Sequence, residues 1–69
     1  MRKKLKYLRV IENDLSITEM AKRIGVSRET YAEVENGSRP ASQAFLGKLQ
    51  KAFSIPDCEI WLYGKNEGV

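Results

Sequence analysis

Histidine is absent from this chain of 69 residues, and cysteine occurs once, as Cys58. A single cysteine cannot form a disulfide within the chain, and no zinc site of the Cys/His type can be assembled without histidine. We therefore expect no metal and no other cofactor. One free thiol in a chain without disulfides is typical of a reducing compartment, so we expect a cytoplasmic protein.

Long apolar runs are also missing. A membrane-spanning helix needs about 20 consecutive apolar residues, and no apolar stretch of a signal peptide follows the basic amino terminus. Hydrophobic residues make up 42% of the chain and charged residues 30%, as in soluble globular domains. We expect neither a membrane protein nor a secreted one.

The short chain has room for only one hydrophobic core. A folded chain of this size buries roughly 60% of the surface that its unfolded form exposes. We expect a single domain over residues 1–64, followed by a C-terminal tail over residues 65–69. Such a small core is marginal, which favours association between copies.

Proline is scarce, and no segment alternates in the manner of a strand. Apolar residues recur instead at helical spacing, which predicts an all-α fold of five short helices. The first helix is predicted at about residues 2–12, with an apolar stripe formed by Leu5, Leu8 and Ile11.

Capping signals delimit the next two helices. Ser16 and Glu19 have the spacing of a capping box, so the second helix should begin at about Ile17 and end at Gly25. Ser27 should cap a third helix over residues 28–36. The connection of about three residues contains glycine, which predicts a steep crossing of the two helices.

An apolar stripe predicts the fourth helix, and a proline marks the start of the fifth. Ser42 should cap the fourth helix, whose apolar residues are Phe45, Leu46, Leu49, Ala52 and Phe53. A fifth helix should begin near Asp57, after Pro56, and end at Gly64. We expect Trp61 in the core and Cys58 as a half-buried thiol.

Charge is distributed unevenly along the chain. Twelve Lys and Arg against nine Asp and Glu give a net charge of +3. Residues 1–9 hold five of the bases and no acid, so the remainder of the chain carries seven bases and nine acids. The basic residues 2–4 are either an arm along a phosphate backbone or the solvated start of the first helix.

Catalytic constellations are not found in this sequence. It has no histidine base, no glycine-rich phosphate loop, no Gly-x-Ser-x-Gly motif and no acidic cluster suited to a metal. Glu29 and Glu33 are one turn apart on a helix, which is typical of a solvated face. We therefore expect that the protein is not an enzyme.

Residues 15–37, LSITEMAKRIGVSRETYAEVENG, resemble the helix-turn-helix of the Cro/C1 (Xre) repressor family. In this pattern Ala21 lets two helices approach, Gly25 makes the tight turn, and the third helix is seated by Val26, Tyr31 and Val34. The resemblance extends from residue 5 to residue 63. It implies a compact five-helix, lambda-repressor-like DNA-binding domain.

The same resemblance implies a set of base contacts from the third helix, lying in the major groove. Arg28 would bond guanine O6 and N7, Glu29 would accept from cytosine N4, and Ala32 would touch a thymine methyl group. A phosphate contact for Arg28 remains open, and for Glu33 we favour a carboxylate directed at Arg28 or at solvent. The full set of candidates is Ser27, Arg28, Glu29, Ala32 and Glu33.

Contacts to the DNA backbone and one structural ion pair complete the implied site. The family commonly has glutamine at the first residue of the second helix, where this chain has Ile17, which leaves the backbone amide for a phosphate. Arg9 is expected to pair with Glu35 and so to tie the first helix to the third. The candidate backbone contacts are Ile17, Thr18, Lys22, Asn36, Ser38 and Arg39.

A small transcriptional repressor is the function that this resemblance implies. It would bind double-stranded DNA as a homodimer, at an inverted-repeat operator with half-sites ~34 Å apart, and we expect no small-molecule ligand. Antitoxin and restriction-controller roles use the same module and stay open. A protein-interaction module on the same fold, with weak or no specific DNA binding, is the alternative.

Overall fold

The computed structural model describes residues 1–66, which form an all-α domain with no strand among them. Its extents are 28 × 26 × 23 Å. The predicted five-helix fold is confirmed, and no helix among residues 1–66 is long and apolar enough to cross a membrane. The helices are α1 (Lys3–Tyr7, continued as a π-helical segment, Leu8–Glu12), α2 (Ile17–Ile24), α3 (Arg28–Asn36), α4 (Gln43–Phe53) and α5 (Asp57–Tyr63).

The predicted caps of α2 and α3 are confirmed. Ser16 Oγ accepts from the Glu19 amide at 3.1 Å, and the Glu19 carboxylate accepts from the Ser16 amide at 2.9 Å. The hydrogen bonds from Ser16 lower the pKa of Glu19. Gly25 ends α2 with φ at 83°, a left-handed conformation that glycine adopts without steric cost. Ser27 then caps α3 by accepting from the Thr30 amide.

One hydrophobic core joins the helices. Ala21, 2% exposed, is part of it on α2, as expected for a residue that lets helices approach closely. The rings of Tyr31 and Phe45 stack with centroids 6.1 Å apart and so link α3 to α4. The buried apolar residues are Leu5, Leu8, Met20, Ala21, Ile24, Tyr31, Val34, Phe45, Leu49 and Ile55.

The position of Ile11 was predicted wrongly, because its side chain is 63% exposed. The helix changes from α to π at Leu8, and each turn of a π-helix contains more residues than an α-turn. The α-helical spacing that would bring Ile11 inward is therefore lost. Asn13 stabilises the end of the segment by donating from its side chain to the Leu8 carbonyl at 2.8 Å.

The fifth helix exposes two residues that the sequence places differently. Trp61 is 60% exposed, so its predicted core position is wrong, and Cys58 is exposed rather than half-buried. A helix of two turns packs only one stripe against the core, and here that stripe is Ile60 and Tyr63. The Trp61 indole N–H donates to the Cys58 carbonyl at 3.0 Å.

Arg2 is buried, so for this residue both alternatives, a phosphate-binding arm and a solvated helix start, are wrong. Its guanidinium donates to the carbonyls of Val34 at 2.6 Å, Arg39 at 2.9 Å and Gly64 at 3.0 Å. Carbonyls at the carboxyl ends of helices have no partner within the helix. Arg2 therefore joins the ends of α3 and α5, and burial lowers the pKa of its guanidinium.

A buried ion pair ties the first helix to α3. Arg9 donates from Nε and Nη2 to the two carboxylate oxygens of Glu35, both at 2.9 Å, and from Nη1 to the Leu15 carbonyl. Tyr31 donates its hydroxyl to Glu35 Oε1 at 2.8 Å. The Glu35 carboxylate thus receives three hydrogen bonds, and the pairing with Glu35 raises the pKa of Arg9.

The C-terminal tail begins inside the described part of the chain. The Lys65 amide donates to the Leu62 carbonyl, and Asn66 accepts from the amino group of Met1 at 2.7 Å. Residues 67–69 of the expected tail lie outside the described residues.

Replacement of Glu35 by glutamine is expected to destabilise the domain by about 3–5 kcal/mol, because it leaves the buried guanidinium of Arg9 without its counter-charge. Urea unfolding followed by circular dichroism measures this change. Glu29→Gln, on the exposed face of the same helix, is the matched control and should change stability by less than about 0.5 kcal/mol. Equal effects of the two substitutions would contradict the structural role of the pair.

Alkaline pH should destabilise the domain through Tyr31. Burial and the hydrogen bond to Glu35 raise the pKa of this phenol, so stability is full below the ordinary tyrosine value of about 10 and falls above it, as the unfolded chain alone releases the proton. Tyr31→Phe should therefore flatten the fall in unfolding free energy above pH ~10, by up to about 1.4 kcal/mol per pH unit. Tyr7→Phe, at an exposed position, should keep the steep fall.

Candidate DNA-binding surface

The third helix presents two different faces. Tyr31, Val34 and Glu35 are buried against the rest of the domain. Arg28 and Glu29 are exposed at the amino-terminal end, and Ala32 lies half-buried one turn further along. Because the buried face is fixed by the core and by the ion pair to Arg9, the orientation of the exposed face is fixed as well.

The five predicted base-contacting residues differ in how free their side chains are. Arg28 and Glu29 make no hydrogen bond or ion pair through their side chains with any of residues 1–66. Ser27 is already occupied, since its hydroxyl accepts from the Thr30 amide and donates to Thr30 Oγ1 at 2.8 Å. The two free charged groups thus occupy the first turn of α3, the end that enters the major groove in helix-turn-helix proteins.

Glu33 is paired with Arg39 rather than directed at Arg28 or at solvent. The Arg39 guanidinium approaches Glu33 Oε1 through Nε at 2.8 Å and through Nη2 at 2.7 Å. Both side chains are about half exposed, with relative accessibilities of 46% for Glu33 and 52% for Arg39. The structure therefore joins a predicted base contact to a predicted backbone contact, and the pair cancels one negative charge on this surface.

The other predicted backbone contacts lie on α2 and around the carboxyl end of α3. Thr18 and Lys22 are exposed one turn apart on α2. The Ile17 side chain packs against the core, so only the backbone amides of Ile17 and Thr18, which precede the capped Glu19 amide, can bind an anion there. Asn36 accepts from the Ser38 amide at 2.8 Å, which shapes the turn after α3.

Lys48 was not among the predicted site residues. From α4 its ammonium group reaches the Gly25 carbonyl at 3.4 Å, which places a cation at the turn between α2 and α3. Lys48 lies outside the apolar stripe of α4 and is exposed. Nothing in the local sequence relates it to residue 25. Only the packing of α4 against α2 brings the two together.

No group of three or more Cys, Asp or Glu side chains among residues 1–66 is arranged to hold a metal ion. What the surface offers is a helix with free polar groups at one end, flanked by helix amides and cations. In protein–DNA complexes, groups of these kinds contact phosphates and base edges.

Comparison with known proteins shows the family of this chain. A family model described as helix-turn-helix matches residues 5–60. An uncharacterised HTH-type transcriptional regulator of Methanocaldococcus jannaschii is 36% identical over 67 residues, which cover 97% of this chain and all of that protein. An uncharacterised HTH-type transcriptional regulator of Bacillus subtilis is 34% identical over 59 residues, covering 86% of this chain and 74% of the other.

A third relative is longer than this chain. Virulence-associated protein A' of Dichelobacter nodosus is 44% identical over 48 residues, which cover 70% of this chain but only 42% of that protein. No solved structure matches. The family is one of DNA-binding transcription regulators and not an enzyme family. The chain belongs to the helix-turn-helix family of the Cro/C1 (Xre) type.

Proposed function

We propose that the protein is a transcriptional repressor whose single domain, residues 1–64, binds an inverted-repeat operator as a homodimer. The observation that carries the proposal is the free first turn of α3, where Arg28 and Glu29 are exposed while the opposite face of the helix is locked in the core. Repression then needs no further activity, because a protein bound tightly across a promoter occludes it.

The two free residues suit a G·C base pair in the half-site. The planar guanidinium of Arg28 can donate two parallel hydrogen bonds to guanine O6 and N7, and the Glu29 carboxylate can accept from cytosine N4. The Ala32 methyl group, one turn further, suits a thymine methyl group. A good bidentate contact discriminates against a wrong base by about 1–3 kcal/mol.

The acidic residues of α3 oppose DNA binding less than their number suggests. Glu35 is neutralised inside the domain by Arg9, and Glu33 is paired with Arg39. Glu29 alone remains without a cationic partner among residues 1–66 and is available for cytosine. Thr18, Lys22 and Ser38 then supply polar and cationic groups for the phosphates, with Lys48 nearby.

The size of the domain fits two adjacent half-sites. Its longest dimension is 28 Å, and successive major grooves on one face of DNA are ~34 Å apart. Two copies side by side therefore can place their α3 helices in successive grooves. An operator read in this way is an inverted repeat, because a two-fold dimer presents the same surface twice in opposite directions.

Arg28→Ala is expected to relax base preference at one position of each half-site and to leave the rest of the operator preference unchanged. The measurement is selection from randomised duplexes with sequencing of the bound fraction, at two salt concentrations, for parent and variant. Arg28→Lys is the control: it keeps the positive charge but replaces the planar fork of donors by a single ammonium group, so it should weaken the guanine preference less than Arg28→Ala does.

The selection also separates the proposed function from its alternative. An inverted repeat whose affinity falls steeply with salt supports a dimeric repressor. Weak, sequence-blind binding that survives only at low salt would contradict it and would favour the protein-interaction module. A phosphate contact for Arg28 would show as a uniform loss of affinity with an unchanged base preference.

Glu33→Gln is expected to tighten binding to duplexes of random sequence by roughly fivefold at low salt, since it removes a negative charge near DNA and releases Arg39. Fluorescence anisotropy with a labelled duplex measures the change. Glu12→Gln alters the net charge equally at an exposed position on another helix, so it should have a smaller effect. The same gain from both variants would mean that net charge alone is responsible.

A further inference from the structure

The outer face of the first helix is apolar and uncovered. We define the α1 groove by its lining residues; its volume is about 340 Å³, and most of its exposed lining is apolar. Tyr7 is 54% exposed and Ile11 is 63% exposed, although both are large apolar side chains. Contiguous apolar surface of this kind is characteristic of an interaction site. The lining residues are Met1, Lys3, Lys6, Tyr7, Val10 and Ile11.

This groove is a product of the π-helical segment. By changing the number of residues per turn after Leu8, the segment turns Ile11 away from the core and toward the side of Tyr7 and Val10. A continuous α-helix would direct Ile11 inward with Leu5 and Leu8. The change to π-helical geometry thus removes Ile11 from the small core and adds it to an apolar face on the outside of the first helix.

The chain has a second exposed apolar group that suits this face. Trp61, its single tryptophan, is 60% exposed on α5. Its indole N–H already donates to the Cys58 carbonyl, so burying the ring in an interface would leave no hydrogen-bond donor unsatisfied. Tryptophan is also among the residues that contribute most to binding energy at interfaces.

The charges around the two features are complementary. The α1 groove is flanked by Lys3 and Lys6, whereas α5 carries the carboxylates of Asp57 and Glu59 and no base. Lysine and aromatic rings already pair inside the domain, where the Lys4 ammonium lies 4.9 Å from the centre of the Tyr63 ring. A tryptophan in the groove would meet lysines in the same manner, and tryptophan is the strongest aromatic partner of a cation.

We propose that the α1 groove binds Trp61 of a second copy of this chain, and that the contact occurs twice about a two-fold axis. The two features lie on neighbouring elements, since α1 packs against α5 within one chain. In a two-fold dimer the groove of each copy faces the tryptophan of the other. Groove against groove is disfavoured, because it would bring the lysines of both copies together. The proposal deepens the proposed function and rests on the homodimer stated there.

Sedimentation velocity of the full chain over a range of concentrations tests this arrangement. Trp61→Ala removes both contacts of the dimer, and a loss of about tenfold for each contact predicts a dimer dissociation constant about a hundredfold larger. Ile11→Asp should have a similar effect from the other side. Both residues are exposed, so equal urea unfolding of parent and variants at a concentration too low for the parent to dimerise verifies that the fold is intact.

Mixing the two variants gives the sharpest test. Each variant alone has lost both contacts, but a mixed dimer pairs the intact groove of Trp61→Ala with the intact tryptophan of Ile11→Asp and so restores one contact. The mixture should therefore dimerise about tenfold more tightly than either variant alone. A mixture that associates no better than its components would overturn the proposal.

Charge variants and a short duplex complete the design. Lys6→Glu should weaken the dimer, whereas Lys51→Glu, an equal change at an exposed position of α4, should not. A parent chain that sediments as a monomer at every concentration, or a dimer insensitive to Trp61→Ala, overturns the proposal.

Binding to a duplex with one half-site should be the same for parent and Trp61→Ala. If neither the parent nor any variant bound DNA sequence-specifically, the proposed repressor function would be rejected. The sedimentation result would still decide whether the α1 groove binds Trp61 of a second copy.

Discussion

The ion pair between Arg9 and Glu35 is the interaction on which the rest of the domain depends. It joins the first helix to α3, and the Tyr31 hydroxyl and the Leu15 carbonyl complete its hydrogen bonds. A buried pair with all donors and acceptors satisfied contributes orientation as much as stability, since alternative packings would leave a charge unpaired. The face of α3 that carries Arg28 is directed outward because the opposite face is held by this network.

Arg2 performs a related task with carbonyls in place of a carboxylate. Its guanidinium donates hydrogen bonds to the carbonyls of Val34, Arg39 and Gly64, so one side chain connects the carboxyl ends of α3 and α5. A domain of this size has little apolar surface to bury, and hydrogen bonds from two arginines, the buried Arg2 and the largely buried Arg9, to separate chain segments compensate for part of that shortage. The basic amino terminus is in this respect a structural element of the domain, and its lysines remain on the surface.

Local signals in the sequence were sufficient for most helix boundaries. Ser16 with Glu19, Ser27 and Ser42 mark the starts of three helices, and Gly25 marks the end of α2, because caps and left-handed residues act within a few positions of the chain. The stripe from Phe45 to Phe53 indicated the core face of α4 for the same reason. The errors concern Ile11, Trp61, Cys58 and Arg2, whose burial depends on a change of helix type or on contacts with distant segments.

Spacing, capping and motif were enough to predict the all-α class, the family and the helices that carry the candidate DNA contacts. Which charged side chains are paired and which are free became clear only from the folded domain. Glu33 pairs with Arg39 across the turn after α3, Lys48 reaches Gly25 from another helix, and Arg2 is enclosed by three segments. Pairing energies of this kind depend on distances between side chains that the folded backbone sets, and a one-dimensional pattern contains no such distances. The same reason explains why the α1 groove became visible only in the folded domain.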